Sequence, residues 1–225
     1  MKIKLIVFDL DGTLYDLEDV SLMNYMIQID YIKMKTNMRD KEITQLFKNN
    51  GIYSQRNEKS KSCTELFAKM GFDLEEWSEF RENNFLVKKI NKIQGVDDEL
   101  MSQFGKVGTL ILLSSNSNKN INDILKHLEI NSNYFNEIIC SDKNCCIGTF
   151  SKYKVMLDLL KRYNVNSQEI ISIGDRFLTD IEPVLKINGI GLLINKPISL
   201  RKILLDLEND KLSTCEGYKL FKSVF

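Results

Sequence analysis

Two aspartates stand one residue apart where an apolar run stops: Asp9 and Asp11 follow Leu5, Ile6, Val7 and Phe8 in the stretch Lys4 to Tyr15, KLIVFDLDGTLY. Two carboxylates held this close repel each other, so a cation or a proton is expected to be shared between them. Three further sets of polar residues recur in the same kind of position. Ser115 and Asn116 close the apolar run Leu110 to Leu113, a lysine region surrounds Lys152 and Lys154, and Asp175 and Asp180 follow the run Ile170 to Ile173. In open α/β sheets the carboxyl ends of strands are where ligands sit and chemistry is done.

Each set alone has a plainer reading. Asp11-Gly12 between apolar runs is a hairpin signal. A calcium loop of the EF-hand type is excluded, because counting back from Gly12 puts Val7 where the first oxygen ligand is needed. Asp9 and Asp11 could also be solvated acids at a strand end. Ser115 and Asp175 could cap helices, and Lys152 could be a surface lysine. What favours a site is four polar ends in one alternating chain.

The elements that would position these residues are readable from periodicity. Leu5–Phe8, with its β-branched residues, reads as a strand buried on both faces. From Asp16 to Gln94 the pattern is helical throughout. Leu22, Tyr25, Met26, Ile29 and Ile32 mark one helix, Ile43, Leu46 and Phe47 a second that stops at Asn50-Gly51, and Cys63, Leu66, Phe67 and Met70 a third. Asp73, three residues before Glu76, starts a fourth that carries Trp77 and Phe80. So long a helical block between two strands is expected to be a domain of its own. From Gly95 onward, strands at 110–113, 137–140, 170–173 and 191–194 alternate with helices at about 98–104, 118–128 and 152–163 and one carrying Ile181, Val184 and Leu185. The expectation is an α/β fold, a doubly wound parallel sheet built from 1–15 and 95–225 with an all-helical domain inserted at 16–94. The tail after Asp210 gives no pattern.

Bulk composition narrows the partners. Lys plus Arg and Asp plus Glu both number 31, so no basic footprint for nucleic acid or an anionic membrane surface is expected. No apolar run approaches the length of a membrane span, and Asp9 and Asp11 interrupt the amino-terminal apolar stretch; a cytoplasmic protein is expected. The five cysteines, an odd set without CxxC spacing, are expected as free thiols, and the single histidine, His127, as structural.

The ordered set resembles the haloacid dehalogenase superfamily of phosphohydrolases over Lys4 to Tyr15 and about Gly95 to Asn195. FDLDGTL is similar to its first motif, LLSSN to its second and GDRFLTD to its fourth. The third is less regular, with GTFSKYK lacking the proline that often follows the lysine. Lys152, 23 residues before Asp175 at the head of a helix, is the first choice there, Lys154 the second, and Lys143 a poorer one.

This resemblance implies a Rossmann-like core, a helical cap at 16–94 and Mg²⁺-dependent hydrolysis of a small phosphorylated metabolite. Asp9 would be the nucleophile forming an aspartyl-phosphate, and Asp11 the general acid and then base. Ser115, Asn116 and Lys152 would hold the phosphoryl group. The metal would sit on Asp9, Asp11 (through its main-chain carbonyl) and Asp175, with Asp180 in or near the shell. The cap looks loosely similar to the pyrimidine 5′-nucleotidase branch, which makes a nucleoside 5′-monophosphate the first candidate substrate. Sugar phosphates, phosphoglycolate and a phosphomutase reaction are rivals, and a non-catalytic binding module is the alternative of another class. Within the cap, the loop Asn49 to Arg56 offers a stacking face at Tyr53 and a forked donor at Arg56, and either it closes over the leaving group or it is a solvated connection.

Overall fold

The computed structural model describes residues 2–54, 61, 63–140 and 151–222. The chain enters with strand β1 (Leu5–Phe8), makes four helices, α1 (Glu18–Lys35), α2 (Asp40–Asn49), α3 (Cys63–Lys69) and α4 (Leu74–Asn84), and then alternates. Helix α5 (Asp98–Val107) leads to β2 (Thr109–Leu113), α6 (Asn118–Leu128) to β3 (Glu137–Ile139), and α7 (Lys152–Arg162) to β4 (Ile170–Gly174). A π turn (Phe177–Ile181) and α8 (Glu182–Leu185) lead to β5 (Ile190–Ile194), and α9 (Ser199–Glu208) precedes β6 (Tyr218–Lys222).

The sheet order is β3-β2-β1-β4-β5-β6, parallel except for β6. This puts β1 in the middle, with β2 and β4 beside it. Asp9 therefore leaves the sheet between the strands that carry Ser115 and Asp175. The connections diverge to the two sides of the sheet here, which opens a crevice at the carboxyl ends.

Strand alternation sorts the core into two layers. Ile6 and Phe8 face α5, α6 and α9 through Phe104, Ile124, Leu200 and Ile203 in one apolar cluster. Leu5 and Val7 face α7 and α8 through Met156, Leu159 and Val184 in the other. Phe8 packs edge-on to Phe104, ring centroids 5.0 Å apart.

The inserted helices gather around Tyr31 of α1, whose ring lies 5.1–5.8 Å from those of Phe67, Phe72, Trp77 and Phe80. Asp73 starts α4 as its sequence position suggests, its carboxylate accepting from the Glu75 and Glu76 N–H groups. Among the described residues 16–94 contain no strand.

Some expectations need correction. The helix α1 forms, but the apolar face read from sequence is rotated: Leu22 and Met26 are exposed, while Ile27 and Tyr31 join Ile29 and Ile32 in the core. An apolar stripe wider than the buried one leaves the phase open to error. The hairpin signal at Asp11-Gly12 leads to no hairpin, since β1 pairs only with parallel strands. The unread tail forms β6, antiparallel on β5, and Tyr218 donates to buried Asp206 on α9 at 2.8 Å. Cys63, Cys140 and Cys215 are thiols rather than disulfides, and Cys145 and Cys146 lie outside the described residues. The His127 Nε2–H donates a hydrogen bond to the Ile90 carbonyl at 2.7 Å, a structural tie.

Candidate active site

Asp9 is set by the end of β1, its N–H donating to the Ile173 carbonyl of β4 at 2.9 Å. The chain then turns through Gly12, whose φ of +83° is in the left-handed region. A side chain there would also collide, because a Cβ would lie 2.5 Å from the Asp175 carboxylate. At the end of β4, Gly174 has the same function by space alone: a Cβ would lie 2.3 Å from that of Asp180. The two glycines let three carboxylates from two chain segments converge. Oxygens of Asp9, Asp175 and Asp180 all lie within 4.8 Å of one another.

A single ammonium joins two of them. Lys152, the first residue of α7, places Nζ 2.6 Å from Asp9 Oδ1 and 2.9 Å from Asp180 Oδ1. It is buried, whereas Lys154 is exposed; Lys143 lies outside the described residues. Asp180 is filled on both oxygens, Oδ1 also accepting from the Thr179 hydroxyl and Oδ2 from the Arg176 N–H. Arg176, also buried, brings its guanidinium 3.8 Å from Asp175 Oδ1.

Charge is strongly redistributed in this cluster. Burial and the Asp180 carboxylate push the Asp9 carboxyl up to about 6, against the opposing pull of Lys152 and Arg176. Burial would raise Asp180 as well, but Lys152 and Arg176 outweigh it and hold that carboxyl below its ordinary value. Burial works against the Lys152 ammonium and the Arg176 guanidinium, yet the carboxylates around them raise both.

Asp11 points into a separate network. The Asn116 amide donates to both its oxygens at 2.9 Å, the Tyr15 hydroxyl donates to Oδ1, and Arg81 from α4 stands 3.8 Å from Oδ2. Asn116 is thus directed at an acid in this structure, while Ser115 is exposed toward a small cavity beneath α4.

The residues fit a hard divalent cation. Asp9 Oδ2 is buried without a hydrogen-bond partner among the described residues, which is costly for a carboxylate unless something positive meets it. Oxygen-only donors at this spacing suit Mg²⁺. The Thr13 hydroxyl is a second buried group without a partner among the described residues. Beside the cluster a cavity of about 530 Å³ opens between the start of α1 and the loop after β5, with Asp175, Gly12, Asp16, Ser21 and Lys196 in its wall.

The model of the haloacid dehalogenase-like hydrolases matches residues 6–188. The chain belongs to this hydrolase family. No curated protein matches its sequence. Its fold is similar to that of an HAD phosphatase from Thermococcus onnurineus (18% identity, 90% of this chain and 98% of that one, TM-score 0.57). It is also similar to a putative HAD hydrolase from Bacillus subtilis bound to magnesium (14%, 91% and 100%, TM-score 0.55). A third likeness is to a 2-haloacid dehalogenase from Pseudomonas syringae pv. tomato (16%, 90% and 98%, TM-score 0.52). At these identities the likeness is one of fold.

Of the residues singled out from sequence, Asp9, Lys152, Asp175 and Asp180 meet in one cluster, and Asp11 and Asn116 in the network beside it. Tyr53 is exposed, and none of the contacts described around the carboxylates involves it; Arg56 lies outside the described residues. Three charged or polar groups of the site were not singled out. Tyr15 and Arg176 stand inside the motifs quoted above, where their burial could have been suspected. Arg81 had no sequence signal, because 70 residues separate it from Asp11.

Proposed function

We propose that this hydrolase is a phosphomonoesterase that uses Mg²⁺ and an aspartyl-phosphate intermediate. One observation supports the reading above others: a buried carboxylate, Asp9, shares an ammonium with Asp180 while its other oxygen has no partner among the described residues. In the first step an Asp9 oxygen bonds to phosphorus as the ester P–O bond breaks, and Asp11 protonates the departing alkoxide. In the second, Asp11 takes a proton from water, whose oxygen attacks phosphorus, and inorganic phosphate leaves Asp9 free. Lys152 neutralises charge on the nucleophile and the phosphoryl oxygens, and the Ser115 hydroxyl donates to one of those oxygens. Asp9, Asp175 and the Asp11 carbonyl would hold the metal, which supplies charge neutralisation between carboxylate and phosphate. Asp180, already filled by three donors, fixes Lys152 and supports the cluster from behind.

An acid two residues after the nucleophile favours ester hydrolysis over dehalogenation, in which no alkoxide leaves. The 16–94 helices would act as the cap over this centre, and a nucleoside 5′-monophosphate is the substrate class suggested by the looser branch resemblance. The test is turnover of p-nitrophenyl phosphate in Mg²⁺, its loss in EDTA and recovery on adding Mg²⁺, with 2-chloropropionate as the dehalogenase control. Asp9→Asn should abolish turnover and prevent the beryllium fluoride adduct of the wild type. Turnover by pure Asp9→Asn, or halide release in place of phosphate release, would overturn the proposal.

A further inference from the structure

Between α4 and the turn after β2 lies a cavity of about 20 Å³, faced by Trp77, Ser78 and Arg81 on one side and Ser115, Ser117 and Asn120 on the other. That is room for about one water molecule. It adjoins the phosphoryl site, since Ser115 belongs to both. Arg81 also borders the Asp11 network, its guanidinium 3.8 Å from Asp11 Oδ2. This distance is an ion pair but not a hydrogen bond. The side chain is only 17% exposed, so its charge is largely withdrawn from water.

The Phe85 ring, its centroid 5.9 Å from the guanidinium carbon, covers one side of this charge, and the rest is unfavourable unless an anion makes good the lost hydration. Asp11 does so only in part, because its oxygens already accept from Asn116 and Tyr15. The phosphoryl group being transferred has Lys152, whose ammonium is 2.6 Å from Asp9, to meet its charge. What Arg81 can meet is the part of the substrate that leaves. Its fork of N–H donors matches a carboxylate or phosphate in bidentate fashion, and the Ser117 hydroxyl opposite offers one neutral donor more.

We propose that Arg81 selects substrates whose leaving group carries a second anion, a carboxylate or a second phosphate, within a few bonds of the ester oxygen. The short reach follows from geometry: the ester oxygen has to meet Asp11, and Arg81 is 3.8 Å from it. Because the cavity holds no more than a water, admitting the leaving group requires α4 to stand further from the turn than it does in this structure. The inference rests on the phosphomonoesterase reading and puts an anionic leaving group in place of the neutral nucleoside that a nucleoside 5′-monophosphate would release.

The experiment compares matched esters with the full-length chain in Mg²⁺. For the carboxylate, 2-phosphoglycolate is set against 2-hydroxyethyl phosphate; for the phosphate, propane-1,3-diol bisphosphate is set against its monophosphate. In the wild type at least one anionic member should exceed its partner in kcat/KM by about 10-fold or more, the size of one charge-assisted contact. The arm showing the preference identifies the anion. Arg81→Ala should bring that ratio to about 1, mainly through KM, and Arg81→Lys should restore part of it. The ratio is the readout, since a variant that only disturbed Asp11 or the cap would lower both members equally. Wild-type turnover of p-nitrophenyl phosphate with no anionic preference, a better rate on nucleoside 5′-monophosphates, or equal losses in Arg81→Ala would overturn the inference and leave the phosphatase reading intact. Failure to hydrolyse any ester would overturn both.

Discussion

Asp9 is the residue on which most of the site's electrostatics converges. Its carboxyl is raised to about 6 by burial and by Asp180, whereas in the unfolded chain it would titrate near 3.8. The folded protein therefore binds this proton more tightly than the unfolded chain does. The resulting stabilisation is full below about pH 4 and is lost as pH rises through about 6, on the order of 3 kcal/mol in the metal-free protein. A divalent cation reverses the balance, because it favours the ionised form. Asp9→Asn removes the titration while keeping the shape of the side chain. Thermal melts in EDTA should show the variant gaining on the wild type between pH 4.5 and 7.5, and Mg²⁺ should narrow the gap at the higher pH. A gap that does not change with pH would mean that Asp9 is ionised throughout, its charge fully met by Lys152.

At the scale of elements, legibility followed period and punctuation. Strands β1, β2, β4 and β5 were readable because buried parallel strands are short apolar runs with turn residues after them. Helix α6 was readable because apolar residues recur on one face, but its cap is Ser117, whose side chain accepts from the Asn120 N–H, and not Ser115. Strand β6 was not, because YKLFK is broken by two lysines and is fixed by pairing with β5 and by the Tyr218–Asp206 bond. The acids of the site were legible because they sit directly after strands, but the turn that aims Asp180 was not. That turn is a π turn over Phe177–Ile181, and it packs so closely on β4 that the Gly174 position has no room for a Cβ. Gly174→Ala should accordingly destabilise the protein by about 2 kcal/mol, the usual scale for overpacking a tight site. It should also weaken Mg²⁺ binding, since Asp175 and Asp180 both follow Gly174 in the segment that would have to shift. Urea melts and calorimetric titration with Mg²⁺ check the two effects, and a shift below about 0.5 kcal/mol with unchanged binding would show that the turn yields without cost.

The whole molecule raises the question of whether the inserted helices stand alone. Sequence suggested an independent unit from its length, yet one apolar cluster runs from Phe47, Phe67 and Trp77 through Val20, Leu17, Tyr15 and Leu14 to Phe8 and Phe104. Such continuity could not be read from sequence, because two residues of the bridge, Leu14 and Tyr15, belong to a stretch with an evident chemical use and the other two, Leu17 and Val20, stand at the start of a helix whose buried face was misread. Tyr15 is fully buried in this bridge and also donates to Asp11, so packing and the site share a side chain. A cluster without a break favours a single cooperative transition. The lone tryptophan, Trp77, lies among the inserted helices, so its fluorescence reports that part of the chain, while far-UV circular dichroism averages over all of it. Heating in the absence of metal should give coincident curves from the two signals. Tyr15→Phe, which keeps the ring and removes the hydroxyl, should leave the curves coincident and lower their midpoint by a few degrees, at a cost of about 2 kcal/mol for one hydrogen bond to a carboxylate. Fluorescence melting several degrees below circular dichroism in the wild type would show the helices unfolding first, as a domain whose contact with the sheet is too weak to couple them.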